Sequence, residues 1–344
     1  MLRRVGFRSG TDEELAAQHL VESEIDAERH PGRAPQPREA YASFARSLPT
    51  LFEDHAWVAE DHGGTTLGCC ACWSNTAGDT SVMECSVHVR PAWRRRGTGT
   101  MLARAVAEEA VAGQRSTLVW STYDSAPAGE DFSRRLGATV ARVNRNSDLA
   151  LADVDSKMVR DWIADGPRRA VGYRAELSKG PLPDELVADA AILHNLMNTA
   201  PKDDLVVADE VISAAQAAEI DRHLVASGRE RWTVFMRTPD GACVGGTEVT
   251  FNSWEPAVAY QQNTAIDPGH RGKGLGKWAK ALMLAHLESD RPGVSRVTTG
   301  NAFSNAAMLA INTALGFEVV EVRTEWQADA QRLRETLRRP RPIG

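Results

Sequence analysis

Hydrophobic positions follow two spacings along the chain, and each spacing predicts one kind of element. Residues 11–30 and 275–289 place apolar side chains three or four positions apart, which is typical of amphipathic helices. Residues 81–89 and 257–266 are short apolar runs flanked by turn-forming residues, which favours strands. Since no apolar run approaches the ~18–20 residues of a membrane span, the pattern predicts a globular α/β protein.

Both halves of the chain show the same predicted order: strand, two helices, three strands, helix, strand, helix, strand. In the first half, strands are expected at 2–8, 55–61, 65–75, 81–89, 117–122 and 139–145, and helices at 11–30, 37–48, 97–113 and 130–137. In the second half, strands are expected at 170–177, 231–237, 242–251, 257–266, 295–301 and 317–326, and helices at 184–198, 213–227, 275–289 and 305–316. A helix at 154–170 is expected to link the halves. This order predicts a mixed, mainly antiparallel sheet flanked by helices in each half.

A repeat in the sequence accounts for the matching order. Residues 87–106 can be laid over residues 264–283 so that a proline, an arginine and two glycines coincide. The coincident pairs are Pro91 with Pro268, Arg94 with Arg271, Gly97 with Gly274 and Gly99 with Gly276. A further glycine pair, Gly137 and Gly316, follows at nearly the same spacing in both copies. The repeat predicts two domains, residues 1–165 and 166–344.

The second copy contains the stretch IDPGHRGKGLGKWAK at residues 266–280, where three glycines alternate with other residues just before a helix. A glycine inside a helix costs roughly 0.5–1 kcal/mol relative to alanine, so three glycines at a helix start need a reason. A strand that runs into such a turn and then into a helix presents successive backbone N–H groups, which bind phosphate. The stretch therefore predicts a phosphate-binding loop.

Two common phosphate loops do not fit this stretch. The Walker loop requires G-x4-G-K-[ST], but Gly276 and Lys277 are followed by Trp278. The dinucleotide fingerprint G-x-G-x-x-[GA] is matched by Gly274, Gly276 and Ala279, yet this loop follows a meander instead of opening a βαβ unit. The hypothesis of a nicotinamide-dependent oxidoreductase therefore rests on that short match alone.

A third loop type, Arg/Gln-x-x-Gly-x-Gly/Ala, occurs in both halves as RRRGTG and RGKGLG. With these loops, and with TTGNAFSNAAMLAINTALGF in the second half, the chain resembles the tandem members of the GNAT superfamily of CoA-dependent acyltransferases. The resemblance implies two tandem GNAT domains and acetyl-CoA, or another acyl-CoA, as cofactor. It also implies direct attack of a small-molecule amine on the thioester, with a place in secondary metabolism such as antibiotic biosynthesis.

The same resemblance assigns cofactor-binding positions in both halves. Loop N–H groups would hold the diphosphate, strand ends would hold the pantetheine arm, and Arg271, Lys273 and Lys277 would add positive charge. The first half contributes His88, Val89, Arg94, Arg95, Arg96, Gly97, Thr98, Gly99 and Thr100, and the second half contributes Ile266, Arg271, Gly272, Lys273, Gly274, Leu275, Gly276, Lys277, Asn301 and Asn305.

Catalytic positions follow less directly, because the tyrosine that the family carries on its last helix has no counterpart. Asn312 occupies that position in the second half, where it is kept as a catalytic candidate, and Ser133 occupies it in the first. Glu248 is the expected general base, since a strand fixes its position better than a turn would. Tyr260 is expected to line the acceptor pocket.

The two halves are expected to divide the labour. The C-terminal half keeps Asn301 and Asn305 and is expected to transfer the acyl group, whereas the N-terminal half is expected to bind CoA for structural reasons. Glu84, however, supplies a carboxylate in the N-terminal half, whereas the aligned position of the C-terminal half is Gln261, which has none. The missing tyrosines and Gln261 also motivate an alternative, a non-catalytic acyl-CoA-binding or sensing protein.

Net charge and cysteine content restrict the kinds of partner and ligand that we expect. A net charge of −6 and a pI near 5.9 argue against nucleic acid as a partner. Four of the five cysteines lie within residues 69–85 without the C-x2-C fork of a zinc site, so no metal is predicted. We expect a cytoplasmic protein, monomer or homodimer, with a small amine as partner and no membrane association.

Overall fold

The computed structural model describes residues 1–76, 78, 80–206 and 209–338. Its strands are β1 (Leu2–Val5), β2 (Phe52–Glu60), β3 (Thr66–Asn75), β4 (Val82–Val89), β5 (Thr117–Tyr123), β6 (Thr139–Ala150), β7 (Arg174–Lys179), β8 (Arg229–Arg237), β9 (Cys243–Asn252), β10 (Val258–Ile266), β11 (Arg296–Ala302) and β12 (Glu318–Asp329). Its helices are α1 (Asp12–Arg29), α2 (Arg38–Arg46), α3 (Thr98–Ala112), α4 (Ala128–Arg135), α5 (Ser156–Arg169), α6 (Val187–Asn195), α7 (Ala214–Ala226), α8 (Leu275–Asp290), α9 (Ala306–Leu315) and α10 (Ala330–Arg338). The predicted mixed α/β class and order of elements are confirmed, and α10 is an additional helix.

Local sequence signals fix where several helices begin. Thr11 starts α1 through a capping box with Glu14, and Ser213 starts α7 through one with Gln216. Helices α3 and α8, both fully described, begin without a side-chain cap, directly after a glycine in the left-handed conformation. Their first N–H groups therefore have neither a helical partner nor a capping side chain.

Unit 1 consists of Met1–Val143, Lys202–Ala208 and Val322–Gly344. Its strands lie in the order β1-β2-β3-β4-β5-β12. Strands β4 and β5 run parallel over residues 82–84, and the other pairs described for this unit are antiparallel. Successive residues of β3 belong to different clusters, since Cys69 packs with Val21 of α1 and Cys70 packs with Leu102 of α3. Helices therefore cover both faces of this sheet.

Unit 2 consists of Asn144–Pro201 and Asp209–Glu321. Its strands lie in the order β6-β11-β10-β9-β8-β7, with β10 and β11 parallel over residues 258–260 and the other described pairs antiparallel. Phe235 clusters with Ala217 of α7, whereas Val234 clusters with Trp278 of α8. Unit 2 thus repeats the layered arrangement of unit 1.

The two units depart from the predicted division at residue 165, because the last strands are exchanged. Strand β6 continues to Ala150 and pairs with β11 over residues 144–150 in unit 2. Strand β12 pairs with β5 over residues 323–329 in unit 1. A sequence repeat predicts two consecutive domains, but a long strand can leave one sheet and complete another.

Helices α5 and α10 follow the exchanged strands. Helix α5 packs on α8 and belongs to unit 2, so it is part of a domain and not a linker. Helix α10 packs on α3 in unit 1 and contains part of the basic C-terminal stretch, whose residues 339–344 lie outside the described residues. Among the described helices, none has both the length and the apolar character needed to cross a membrane.

Candidate functional site

The two glycine loops have the same backbone path. Each begins with a short 3-10 turn, at Pro91–Trp93 in unit 1 and at Pro268–His270 in unit 2. Two left-handed residues follow in each loop, and then the helix begins. Their φ angles are 64° at Arg95 and 91° at Gly97 in unit 1, and 79° at Gly272 and 81° at Gly274 in unit 2. Both loops therefore present a helix N-terminus suited to an anion.

The arginine that opens each loop binds the preceding strand. Arg94 Nε donates to the carbonyl oxygen of Val89 at 3.1 Å, and its guanidinium also pairs with Glu28. Arg271 Nε donates to the carbonyl oxygen of Ile266 at 2.9 Å. These contacts hold each loop against the end of its strand. The positive charge that Arg271 would add at a phosphate stays a prediction.

Unit 1 contains a cavity of about 1500 Å³ between β4 and β5. The two strands pair over residues 82–84 and 117–119. Residues 84–89 of β4 and 118–123 of β5 both line the cavity, so the cavity extends past the end of the pairing. Gly97, Gly99 and Thr100 line the same cavity, so the loop and the gap between the strands form one continuous space. A long, narrow ligand with an anionic group fits this arrangement.

Helix α1 is tied to the cavity wall by a row of ion pairs. The pairs join Glu22 to His88, Glu24 to Arg90 and Glu28 to Arg94. Burial would lower the pKa of His88, but the Glu22 carboxylate, whose Oε1 is 2.9 Å from His88 Nδ1, outweighs it and holds the pKa above its ordinary value. Glu22, Cys69 and His88 lie close enough together to hold a cation, but the direct Glu22–His88 contact already accounts for this cluster.

In unit 1, the position of the family's tyrosine is occupied by Ser133, which is buried. Ser133 Oγ accepts a hydrogen bond from Trp120 Nε1 at 2.8 Å and donates one to the carbonyl oxygen of Gly129 at 2.9 Å. The hydroxyl is therefore committed to structural partners on both sides. Glu84 lines the cavity from β4 and is exposed.

In unit 2, the structure places the predicted base Glu248 in a buried ion pair. Glu248 Oε2 is 3.4 Å from Arg231 Nη1, and Arg231 also pairs with Asp221. Burial raises the pKa of Glu248, and Arg231 opposes that rise. The hydroxyl of Tyr260 donates to Glu255. Glu248 and Tyr260 both line a pocket of about 400 Å³ between the sheet and helices α6 and α7, and the binding of an acceptor there stays a prediction.

In unit 2, the buried Asn312 and Lys280 form a polar cluster with the half-buried Gln261 and Asn301, here called the Lys280 chain. Lys280 Nζ is 3.0 Å from Asn312 Oδ1 and 3.4 Å from Gln261 Oε1, and Asn312 Nδ2 donates to Asn301 Oδ1 at 2.7 Å. Lys280 is 2% exposed, and burial lowers its pKa to about 7. Asn305 caps α9 by accepting from Met308 N at 3.3 Å, and its expected contact with the cofactor stays a prediction.

Helix α5 supplies neighbours of the second loop that sequence reasoning had missed. A Cβ built on Gly274 would lie 3.7 Å from Arg169 Nε, and Lys277 Nζ lies 4.6 Å from the centre of the Trp162 ring. Gly166 lies flat against Trp278 at the start of α8, where a Cβ would clash at 2.3 Å. The G-P pair inside the predicted helix was a signal that this glycine has a packing role.

Family models match a segment of each half of the chain. Residues 53–137 match an acetyltransferase (GNAT) domain, and residues 202–317 match the acetyltransferase (GNAT) family. Each matched segment contains one of the two loops. A comparison with curated protein sequences gives no match.

Solved structures extend the similarity to nearly the whole chain. The chain is similar to a tandem GNAT protein from the clavulanic acid biosynthesis pathway, solved without acetyl-CoA, with a TM-score of 0.77, 26% identity and coverage of 96% of this chain and 99% of that one. It is also similar to a GCN5-related N-acetyltransferase from Sphaerobacter thermophilus, with a TM-score of 0.65, 11% identity and 96% coverage of both chains. The second similarity shows the shared fold alone.

Proposed function

The chain belongs to the GNAT acetyltransferases, with two domains of that family in tandem, and on this premise we propose that it transfers an acyl group from acyl-CoA to a small-molecule amine. Acetyl-CoA is the first candidate donor. The proposal includes direct attack of the amine on the thioester, without an acylated enzyme. The similarity to a protein of clavulanic acid biosynthesis supports an acceptor from secondary metabolism.

The observation that carries the proposal is the cavity of unit 1. A loop with two left-handed residues and a bare helix N-terminus suits a diphosphate. The gap between β4 and β5 continues from that loop and, at about 1500 Å³, has room for a pantetheine arm and an acceptor. Backbone N–H groups of residues 95–100 would hold the diphosphate. When bound, acyl-CoA supplies an activated thioester.

Glu84 is the proposed general base in unit 1. It lies on β4, lines the cavity and is exposed, so a ligand in the cavity can reach its carboxylate. A carboxylate at this place can take the proton of an ammonium acceptor, directly or through water, and so produce the neutral amine that attacks. Ser133 is committed to Trp120 and Gly129, so the thiolate would leave without a phenol-like acid.

The cavity favours unit 1 for the transfer, which is the opposite of the division of labour expected from the sequence motifs. The motif in the second half is fuller, but Asn305 caps a helix and Asn312 is held by Lys280. Monomer or homodimer state and a cytoplasmic location stay predictions.

Amine-dependent release of CoA tests the proposal. A panel of amines with acetyl-CoA should give turnover, and Glu84→Gln should lower kcat/KM by about 10²-fold or more, the size of a general-base effect. Gly97→Asp should abolish turnover by placing a side chain and a negative charge at the phosphate. Gly32→Asp is a matched control, since Gly32 is also left-handed and has no atom within 4 Å of a built Cβ. CoA binding without turnover across the panel would favour the non-catalytic alternative.

A further inference from the structure

The Lys280 chain lies where a cofactor arm would enter unit 2. Strands β10 and β11 pair over residues 258–260 and 296–298. Gln261 and Asn301 follow these pairs, where the strands of unit 1 separate around the cavity. Lys280 and Asn312 complete the hydrogen-bonded chain from β10 through α8 and α9 to β11. The cleft of unit 2 is therefore bridged by side chains.

The repeat identifies the counterparts of these four residues in unit 1. Aligning Pro91 with Pro268 gives two of them, the glycine pair Gly137 and Gly316 gives the third, and the parallel strand pairs give the fourth. The counterparts are Glu84 for Gln261, Ala103 for Lys280, Ser133 for Asn312 and Ser121 for Asn301. All four counterparts line the cavity of about 1500 Å³.

A very small cavity lies beside Lys280. A cavity of about 10 Å³ is lined by Gln261, Lys280, Leu284 and Phe317, among others, and a single water needs about 10–15 Å³. The difference from unit 1 is largest at Lys280, since alanine occupies the same helix position there. One long side chain on α8 thus fills space that a methyl group leaves open on α3.

A buried lysine is not needed to pack this fold. Its pKa falls to about 7 because burial disfavours the charged form, and the hydrogen-bond partners described for it are the amides of Asn312 and Gln261. Unit 1 forms the same sheet and helices with Ala103. Burying a lysine costs free energy, and unit 1 folds without one at this position. We therefore expect Lys280 to have a role specific to unit 2.

We propose that the Lys280 chain closes the cofactor cleft of unit 2, so that the protein binds one acyl-CoA per chain, in unit 1. The inference rests on the proposed function of unit 1. Unit 2 keeps the loop backbone, because the loop also orders the start of α8 and its packing on α5. Its pocket of about 400 Å³ stays separate from the closed cleft.

Binding stoichiometry tests the proposal on the full chain. Native mass spectrometry and equilibrium dialysis with acetyl-CoA should give one bound molecule per wild-type chain. That molecule should be lost with Gly97→Asp and kept with Gly274→Asp. Two bound molecules, or loss with Gly274→Asp, would overturn the closure of unit 2 while leaving acyl-CoA binding intact. If the wild-type chain binds no acetyl-CoA, that result would instead contradict the proposed function.

A gain of binding tests the role of Lys280 itself. A variant that carries the unit 1 residues, Gln261→Glu, Lys280→Ala, Asn301→Ser and Asn312→Ser, should bind a second acetyl-CoA. Adding Gly274→Asp to this variant should return the number of bound acetyl-CoA molecules to one. If this variant keeps the wild-type circular dichroism spectrum and still binds one molecule, the assignment of closure to the Lys280 chain is wrong.

Discussion

Arg271 Nε donates a hydrogen bond to the carbonyl oxygen of Ile266, 2.9 Å away. Arg94 repeats this contact with Val89 at 3.1 Å. In each loop the arginine thus closes a six-residue turn, holding the end of one strand against the first residues of the loop. The arginine of the motif therefore has a structural use that is independent of any bound phosphate.

Paired substitutions separate that structural use from cofactor binding. Arg94→Lys and Arg271→Lys keep the charge but lose the Nε–H contact, so each should lower the free energy of unfolding by about 1–2 kcal/mol. Arg94→Lys should also weaken acetyl-CoA binding, because its loop borders the open cavity. Thermal unfolding and calorimetric titration measure both effects. Equal loss of cofactor affinity in the two variants would contradict a difference between the loops.

Lys280 makes stability depend on pH in a defined direction. The folded lysine releases its proton near pH 7, whereas the unfolded one holds it up to about pH 10.5. Between these values the unfolded state binds more protons, so the folded state gains stability as the pH rises. Lys280→Gln should remove this contribution, and Lys277→Gln on the same helix should not. Melting temperatures from pH 6 to 10 that run parallel in wild type and Lys280→Gln would refute the buried neutral lysine.

The Glu22–His88 pair predicts a measurable histidine pKa. In Glu22→Gln the carboxylate is lost and burial remains, so the pKa of His88 should fall below its ordinary value. In the wild type, the pair stabilises the fold at low pH, and this stabilisation is lost as the pH rises through the raised pKa. Histidine NMR titration measures the shift. Glu24→Gln, which removes the partner of Arg90, should leave His88 unchanged.

The cysteines should react slowly in the native protein. Cys69, Cys70, Cys72 and Cys85 are buried, and burial raises the pKa of each, to about 12 for Cys85. Cys243 is partly exposed, and burial raises its pKa to about 11. A thiol reagent at pH 8 should label no more than Cys243 within minutes, and all five cysteines only in denaturant. Rapid labelling of the strand cysteines would mean that β3 and β4 are open to solvent.

Much of the fold could be predicted from the chain, because each half repeats the same elements and two loops share one glycine pattern. The exchange of β6 and β12 could not, since hydrophobic spacing indicates where a strand lies but not which sheet it joins. The boundary at 165 assumed that each repeat closes its own sheet, and strand pairing over residues 144–150 and 323–329 shows another path.

The two glycine loops could be located from the sequence because their pattern repeats, but the side-chain contacts around them could not. Motif similarity favoured the second half, but a motif does not show which side chains lie in the cleft beside it. A signal was present, because Lys280 interrupts an apolar stretch of α8 where Ala103 stands in α3. The sequence also contains a signal of the ion pairs between α1 and the end of β4. The acidic residues Glu22, Glu24 and Glu28 have the same spacing as their partners His88, Arg90 and Arg94.

The exchanged strand β12 has a consequence for how the chain is made. Strand β5 emerges from the ribosome about two hundred residues before β12, its neighbour in the finished sheet. Until translation nears its end, the nascent N-terminal sheet carries an uncovered edge of the kind that invites pairing with other chains. Synthesis order, and not only final stability, therefore sets when the cavity of unit 1 can form.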